Sequence, residues 1–212
     1  MGVDRNRFHY VIWSGGLDST MLLHELAKQS SEDREVYAIS ISHTHINKDK
    51  EKMESKARST YMKFAKRKGY HLTHFHIDID SEAHMYNSGA NQACIWLFHA
   101  LPYIWNYSTV HFGYVSGDEF WHHRNHFVSM FKDLISLRGE MDVCYSFDYE
   151  WTKKYQLLDK AKNQLPDGAF WYCEFPKKKG RRFVPCGKCG CCKRHAMAEY
   201  ALSLEENEKK FK

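Results

Sequence analysis

The sequence has no apolar run near the roughly 20 residues that span a bilayer, and its opening stretch MGVDRNRFHY carries no hydrophobic leader segment. The reading is a cytoplasmic chain with no membrane partner. The Met-Gly start lacks the Ser or Thr that myristoylation uses at position six, where Asn6 stands. Internal repeats and low-complexity tracts are absent. So is a strong excess of charge: 31 Lys and Arg against 26 Asp and Glu leave a net +5, dispersed along the chain. That balance suits phosphates and anionic small molecules and is weak support for nucleic-acid binding. Two nucleotide signatures are missing, G-x-x-x-x-G-K-[ST] and G-x-G-x-x-G, which excludes a Walker-type loop and argues against a dinucleotide site. Cysteine is not scarce. Its count is seven, an odd number in a chain that reads as intracellular, which argues against a disulfide framework. Cys94 and Cys144 sit among apolar neighbours and read as small buried hydrophobes.

What is present reads as an α/β chain. Its 212 residues suffice for one domain with a full core and a small appended lobe. FHYVIW (8–13), VYAISIS (36–42), HLTHFHIDI (71–79), TVHFGYVS (109–116) and 143–147 read as strands. Helical spacing follows Asp18, runs through 48–68 with Met53, Ala57, Tyr61, Phe64 and Ala65 on one face, and recurs at 90–105, 126–137 and 151–164. Pro102 ends or kinks the third of these. Strands alternating with helices predict a doubly wound, mostly parallel sheet. The stretch FPKKKGRRFVPCGKCGCC reads as a basic loop, and a helix is expected from Lys193. The predicted division is an α/β domain over 1–165 and a lobe with a C-terminal helix over 166–212.

The first strand ends in Ser14-Gly15-Gly16-Leu17-Asp18-Ser19-Thr20. Two glycines permit a tight turn, three hydroxyls offer donors, and the helix that follows presents its positive N-terminal end. Together these make a cradle for an anion. The alternative is an ordinary turn in which Asp18 or Ser19 caps the helix. The string resembles the PP-loop of the N-type ATP pyrophosphatases, which implies ATP, held by its pyrophosphate, and transfer of AMP to a carboxyl or carbonyl oxygen.

Near the other end, Cys186, Cys189 and Cys192 keep a C-x-x-C-x-x-C spacing, with Gly187 and Gly190 permitting tight turns. Cys191 and Cys192 are neighbours and compete for one ligand place. A tetrahedral zinc needs a fourth ligand, best supplied by Cys173, with His195 next. An iron–sulfur cluster uses the same donor set. A redox C-x-x-C would sit at a helix start after a strand of a thioredoxin-like unit, and this one does not. A structural zinc would staple a loop-rich lobe.

SGGLDST at the start with this cysteine spacing near the end resembles the QueC family, 7-cyano-7-deazaguanine synthases. The resemblance covers nearly the whole chain. Gly89 and Asn91 match a Gly-Arg-Asn motif in which Ala90 replaces the Arg. Gly113, Asp118, Arg124 and Phe127 match a segment whose Tyr-Pro-Asp-Cys is here Phe120-Trp121-His122-His123. Trp151 and Lys154 match a Trp-x-x-Lys helix, and Ser42-His43-Thr44-His45 stands for Tyr-Gly-Gln-Arg. The resemblance implies an adenine nucleotide alpha hydrolase type of fold and conversion of a 7-deazaguanine carboxylate and ammonia to the nitrile through an acyl-adenylate. It also implies structural zinc, ATP and Mg²⁺, a homodimer, and no direct nucleic-acid partner. Asp18 or Asp118 would hold Mg²⁺ or water, while Lys154 and Arg124 would neutralise phosphate or carboxylate charge. The changed segments fall where the substrate pocket is expected.

Trp96, Trp105, Phe120, Trp121 and Trp171 offer stacking faces for a purine-like base, although aromatics of this kind are commonly core. The H-x-H pairs of SHTHI and HLTHFH read as strand histidines. Three rival readings share these residues: a QueC-like enzyme using another amine, such as a protein terminus; a PP-loop tRNA-thiolating enzyme with a catalytic cysteine; and a zinc-dependent nucleic-acid module around KKKGRR.

Overall fold

The computed structural model describes residues 7–43, 47–79, 92–139 and 142–210. Gly89, Ala90, Asn91, Thr44 and His45 lie outside the described residues. Five strands form one parallel sheet: β1 (Phe8–Ile12), β2 (Glu35–His43), β3 (Leu72–Ile79), β4 (Ser108–His111) and β5 (Val143–Ser146). Their order is β3-β2-β1-β4-β5, so the chain moves outward to one side of β1 and then to the other. The helices are α1 (Leu17–Ala27), α2 (Lys48–Arg67), α3 (Gln92–Ala100), α4 (Arg124–Ser136), α5 (Lys154–Gln164) and α6 (Gly190–Lys210). This is the doubly wound α/β architecture expected from the strand–helix alternation. Among the described residues no helix is long and apolar enough to cross a membrane.

Period-two alternation sorts the sheet residues between two cores. Tyr10, Ile12, Tyr37, Ile39, Val110 and Phe112 face α3 and α4, where Leu97, Phe127 and Phe131 are buried. Val11, Trp13, Val36 and Ala38 face α1, α2 and α5, where Leu23, Tyr61 and Leu157 are buried. Ala169 and Ala198 belong to that second core, so the C-terminal segment packs on the same apolar face.

Two elements differ from the sequence expectation. β4 stops at His111, well short of residue 116. Gly113 runs so close to α1 that an added Cβ would lie 3.0 Å from the Ser19 backbone nitrogen, and the Asp118 carboxylate then accepts from the Val115 N–H at 3.1 Å, turning the chain. The basic stretch expected as loop forms an antiparallel hairpin, β6 (Lys177–Lys179) and β7 (Arg182–Val184), around Gly180 at φ +61°.

A polar chain crosses the second core. Arg34 can only donate, so its Nε–H bond to His9 Nε2 (3.2 Å) leaves the His9 proton on Nδ1. That N–H donates to His111 Nε2 (3.0 Å), and His111 Nδ1–H then donates to Asp148 Oδ2 (2.9 Å). Burial is the largest single influence on Asp148 and opposes its charge, but the hydrogen bond and attraction from His111, with hydrogen bonds from Ser146 and the Asp148 backbone, together outweigh it and hold the carboxyl below its ordinary range. A depressed folded-state value stabilises the fold above the unfolded value, near 4, and that contribution is lost as pH falls through the folded value. The Asp148→Asn variant is therefore expected to be less stable at neutral pH and to lose less stability between about pH 4 and pH 2 than the parent. Chemical denaturation across that range measures both differences.

Candidate functional site

The carboxyl ends of β1 and β4 border the point where the strand order reverses, the usual crevice for ligands in open α/β sheets. A cavity of about 390 Å³ opens there. The turn after β1 forms its floor: Ser14, Gly16, Leu17, Asp18 and Ser19 all line it. The Ser14 and Ser19 hydroxyls lie 3.0 Å apart, and Ser14 Oγ accepts from the Gly16 N–H at 3.1 Å. Gly16 is the N-cap of α1 with no side-chain cap, so the first-turn amides are not closed off by a capping side chain. Neither Asp18 nor Ser19 acts as the cap.

Two members of the expected seven-residue cradle do other work. Thr20 is fully buried beneath the loop, where its hydroxyl accepts from Trp13 Nε1 at 2.9 Å, and it does not line the cavity. Gly15 takes φ +88°, a conformation that strains other residues, turns its carbonyl to the Trp171 N–H (2.9 Å), and would place a Cβ tightly, 3.1 Å from both Arg58 Cγ and the Glu54 carbonyl oxygen. Both hold the turn in shape rather than face a ligand.

Asp18 and Lys154 form an ion pair across the cavity floor, from α1 to the start of α5. Burial raises the Asp18 pKa, and Lys154 draws it partly back. Asp18 Oδ1 is buried without a hydrogen-bond partner, an expensive arrangement unless a ligand completes it. Asp118 lines the same cavity and adds repulsion to Asp18. Two such carboxylates, one with an orphaned oxygen, fit a hard cation that also takes phosphate oxygens.

Arg124 is not at the cavity. It reaches Glu150 (3.4 Å) and lies over the Trp121 and Phe147 rings, because α4 begins on the far side of the 3₁₀ turn at 119–123. Its expected contact with phosphate or substrate is replaced by this salt bridge and stacking. Of the five aromatics considered for base stacking, Trp96, Phe120 and Trp171 line the cavity. Phe120 stacks on Tyr114 at 3.8 Å. Trp121 instead donates to the Val115 carbonyl, and Trp105 packs on Phe8 at the opposite end of the sheet.

Sequence reasoning missed a set of charged residues. Lys50, Glu54, Glu174 and Arg194 line the cavity, with Lys50 bonded to Glu174 at 2.7 Å. Burial pushes the Glu54 carboxyl up to about 7, even with Lys50 at 3.6 Å. Arg58, only 3% exposed, donates to the Ser14 carbonyl (2.9 Å) and pairs with Glu51, which also accepts from Ser42 (2.6 Å). In sequence these residues sit in a dense charge run that reads as a solvated helix face. The only available signal was Arg58 lying one residue beyond Ala57, at the edge of the apolar stripe.

The cysteines gather beside this cavity. The sulfurs of Cys173, Cys186, Cys189 and Cys192 all lie within 4.8 Å of one another, so these four could bind a metal. Cys186 and Cys192 are 3.8 Å apart, matching the separation of about 3.8 Å that tetrahedral geometry gives for bonds near 2.3 Å. Backbone N–H groups point at the sulfurs: Cys186 at Cys173 (3.1 Å), Lys188 and Cys189 at Cys186 (3.4 and 3.3 Å), and Cys192 at Cys189 (3.4 Å). The amides of Lys188 and Cys189 lower the Cys186 pKa to about 6, and burial raises that of Cys192 to about 12. His195, the other fourth-ligand choice, is outside this group and stacks on Tyr172 at 3.7 Å. Cys191 turns the other way, into the cavity, with Sγ 3.4 Å from Glu174 Oε1.

No protein-family model matches the chain, and no curated protein matches its sequence. Solved structures do share its fold. The U34-tRNA thiolase NcsA from Methanococcus maripaludis, solved with its [4Fe-4S] cluster, is 13% identical and superposes over 95% of this chain and 68% of its own, with a TM-score of 0.51. A universal stress protein family member from Burkholderia pseudomallei is 9% identical over 68% of this chain and 98% of its own, at a TM-score of 0.38 that is too distant to define the fold. The chain thus has an α/β fold like that of the PP-loop enzymes, with a four-cysteine cluster capable of binding a metal.

Arg58 supplies a direct test of how the loop is held. The Arg58→Ala variant leaves the Ser14 carbonyl without its donor and Glu51 without its cation, and is expected to lose about 3 kcal/mol of stability in urea unfolding.

Proposed function

We propose that this chain uses ATP to adenylate a carboxylate, as its sequence resemblance to the QueC family implies, with a 7-deazaguanine carboxylate as substrate and ammonia as the amine. The observation carrying this reading is the Asp18–Lys154 pair with its orphaned carboxylate oxygen at the floor of an aromatic-walled cavity. Ser14, Ser19 and the α1 N-terminus receive the pyrophosphate. Lys154, Lys50 and Arg194 offset anionic charge on the phosphates and the substrate. Trp96, Phe120 and Trp171 give the cavity flat apolar walls suited to heteroaromatic rings. Asp18 and Asp118 would hold Mg²⁺, which supplies charge neutralisation at the phosphates.

The substrate carboxylate oxygen bonds to the α-phosphorus, and the α–β bridging bond breaks to release pyrophosphate. Ammonia adds to the acyl carbon, AMP leaves, and an amide remains after loss of a proton. Adenylation of the amide oxygen by a second ATP and loss of that oxygen as AMP gives the nitrile. No covalent enzyme nucleophile is needed, and positioning and charge do the chemistry. The four cysteines hold a structural zinc in this reading, supported by their close spacing. A four-iron cluster carries each thiolate on a separate corner iron, which sets the sulfurs farther apart.

A second reading, a PP-loop thiolating enzyme, is favoured by Cys191, whose thiol faces the cavity apart from the metal group. Incubation with ATP, Mg²⁺, ammonium and 7-carboxy-7-deazaguanine, followed by mass spectrometry, tests the first reading: AMP and nitrile are expected. AMP without nitrile would move the reading to another amine, and no AMP with any carboxylate would remove it. Cys191→Ser is expected to leave nitrile formation within about twofold, whereas a sulfur-carrying role would abolish turnover. Elemental analysis of the purified protein is expected to give about one zinc per chain. Iron with acid-labile sulfide would contradict the zinc assignment.

A further inference from the structure

The hairpin β6–β7 carries five cations in six residues, Lys177, Lys178, Lys179, Arg181 and Arg182, all exposed. Among the described residues none of them lies within 4.0 Å of a carboxylate. Five like charges on so short an element repel one another, and the described residues place no carboxylate within ion-pair distance to offset them.

The hairpin is nevertheless firmly mounted. It leaves the cysteine cluster at Cys173 and returns to it at Cys186, whose N–H donates to the Cys173 sulfur. The Asn47 side chain at the N-cap of α2 donates to the Glu174 carbonyl, and Lys52 lies over the Phe183 ring at 5.6 Å. Lys52 belongs to an exposed row, Lys48, Lys52 and Lys56, spaced four residues apart on α2 and about 12 Å long. Helix row and hairpin therefore join into one cationic track. Phe175, 65% exposed, stands at the foot of the hairpin. The neighbouring Glu174, and Lys50 between the row's first two lysines, line the cavity.

We infer that this track binds a single-stranded nucleic acid, its phosphates along the hairpin and the α2 lysines and an unpaired base against Phe175. Phosphates supply the missing counter-charge in a line, as the cations are arranged. An exposed aromatic among them fits unstacked bases, which a duplex or a lipid headgroup does not present. The KKKGRR run is visible in the sequence, and what the fold adds is its placement beside the lysine row of α2. The binding is separate from adenylation and is measured without ATP, so either can fail alone.

The test is fluorescence anisotropy of the full chain with a labelled 20-nucleotide single-stranded RNA of mixed sequence. Five phosphate contacts give a log–log salt slope near −3.5, so affinity is expected to fall about 100-fold between 50 and 200 mM KCl. The triple variant Lys177→Gln, Lys179→Gln, Arg182→Gln is expected to flatten the slope by about 2 and weaken binding at least 10-fold at low salt. Lys63→Gln, Lys66→Gln, Arg67→Gln, placed at the other end of α2, is expected to change it less than threefold. Phe175→Ala is expected to weaken it about 10-fold. Thermal unfolding of each variant checks that it is folded. No binding at 50 mM KCl, equal loss in the two triple variants, or binding to phosphatidylserine vesicles in place of RNA would overturn the proposal. An unchanged affinity in Phe175→Ala would contradict its single-strand form.

Discussion

The site depends on how the turn between β1 and α1 is held. Its carbonyls at Ser14 and Gly15 are taken by Arg58 from α2 and by the Trp171 N–H from the C-terminal segment, and Trp13 Nε1 locks Thr20 from below. Three separate parts of the chain thus fix one tight turn, leaving Ser14, Ser19 and the start of α1 directed at the cavity. A phosphate cradle needs this pre-organisation, because backbone donors serve an anion only when they already point at it. The buried guanidinium of Arg58 is costly alone, and its pairing with Glu51 makes it tolerable.

That constraint ties the two ends of the sequence together. Trp171, Tyr172 and Glu174 reach the cavity because Cys173 is anchored in the cysteine cluster. Arg194 and Cys191 reach it from the first turn of α6, which grows out of the same cluster. A metal held by these four cysteines would act on the cavity wall without touching it, by fixing the backbone on either side of its ligands. The cysteine cluster and the loop at residues 14–20 are therefore one construction, although well over a hundred residues separate them in sequence.

The strand–helix alternation made the sheet legible, and local chemistry made the loop legible, since glycine pairs and hydroxyls have few other uses at a strand end. The C-x-x-C-x-x-C spacing pointed to a metal cluster for the same reason. What stayed hidden depends on tertiary contact. Arg58 reads as one more charge in a helix rich in them, and only its packing against the loop gives it a role. Arg124 matched a motif, yet the 3₁₀ turn before it aims it at Glu150. Thr20 has the right chemistry for a cradle but the wrong face of α1. The early end of β4 follows from the close approach of Gly113 to Ser19, a contact between distant residues that no local pattern encodes.

Adenylation requires ATP to break between its α- and β-phosphates. Exchange of radiolabelled pyrophosphate into ATP reports reversible cleavage between the α- and β-phosphates before any amine is needed. Label is expected in ATP only when the 7-deazaguanine carboxylate is present, and is expected to be lost in Lys154→Ala. ATP consumption that yields ADP, or a complete absence of carboxylate-dependent exchange, would contradict adenylation.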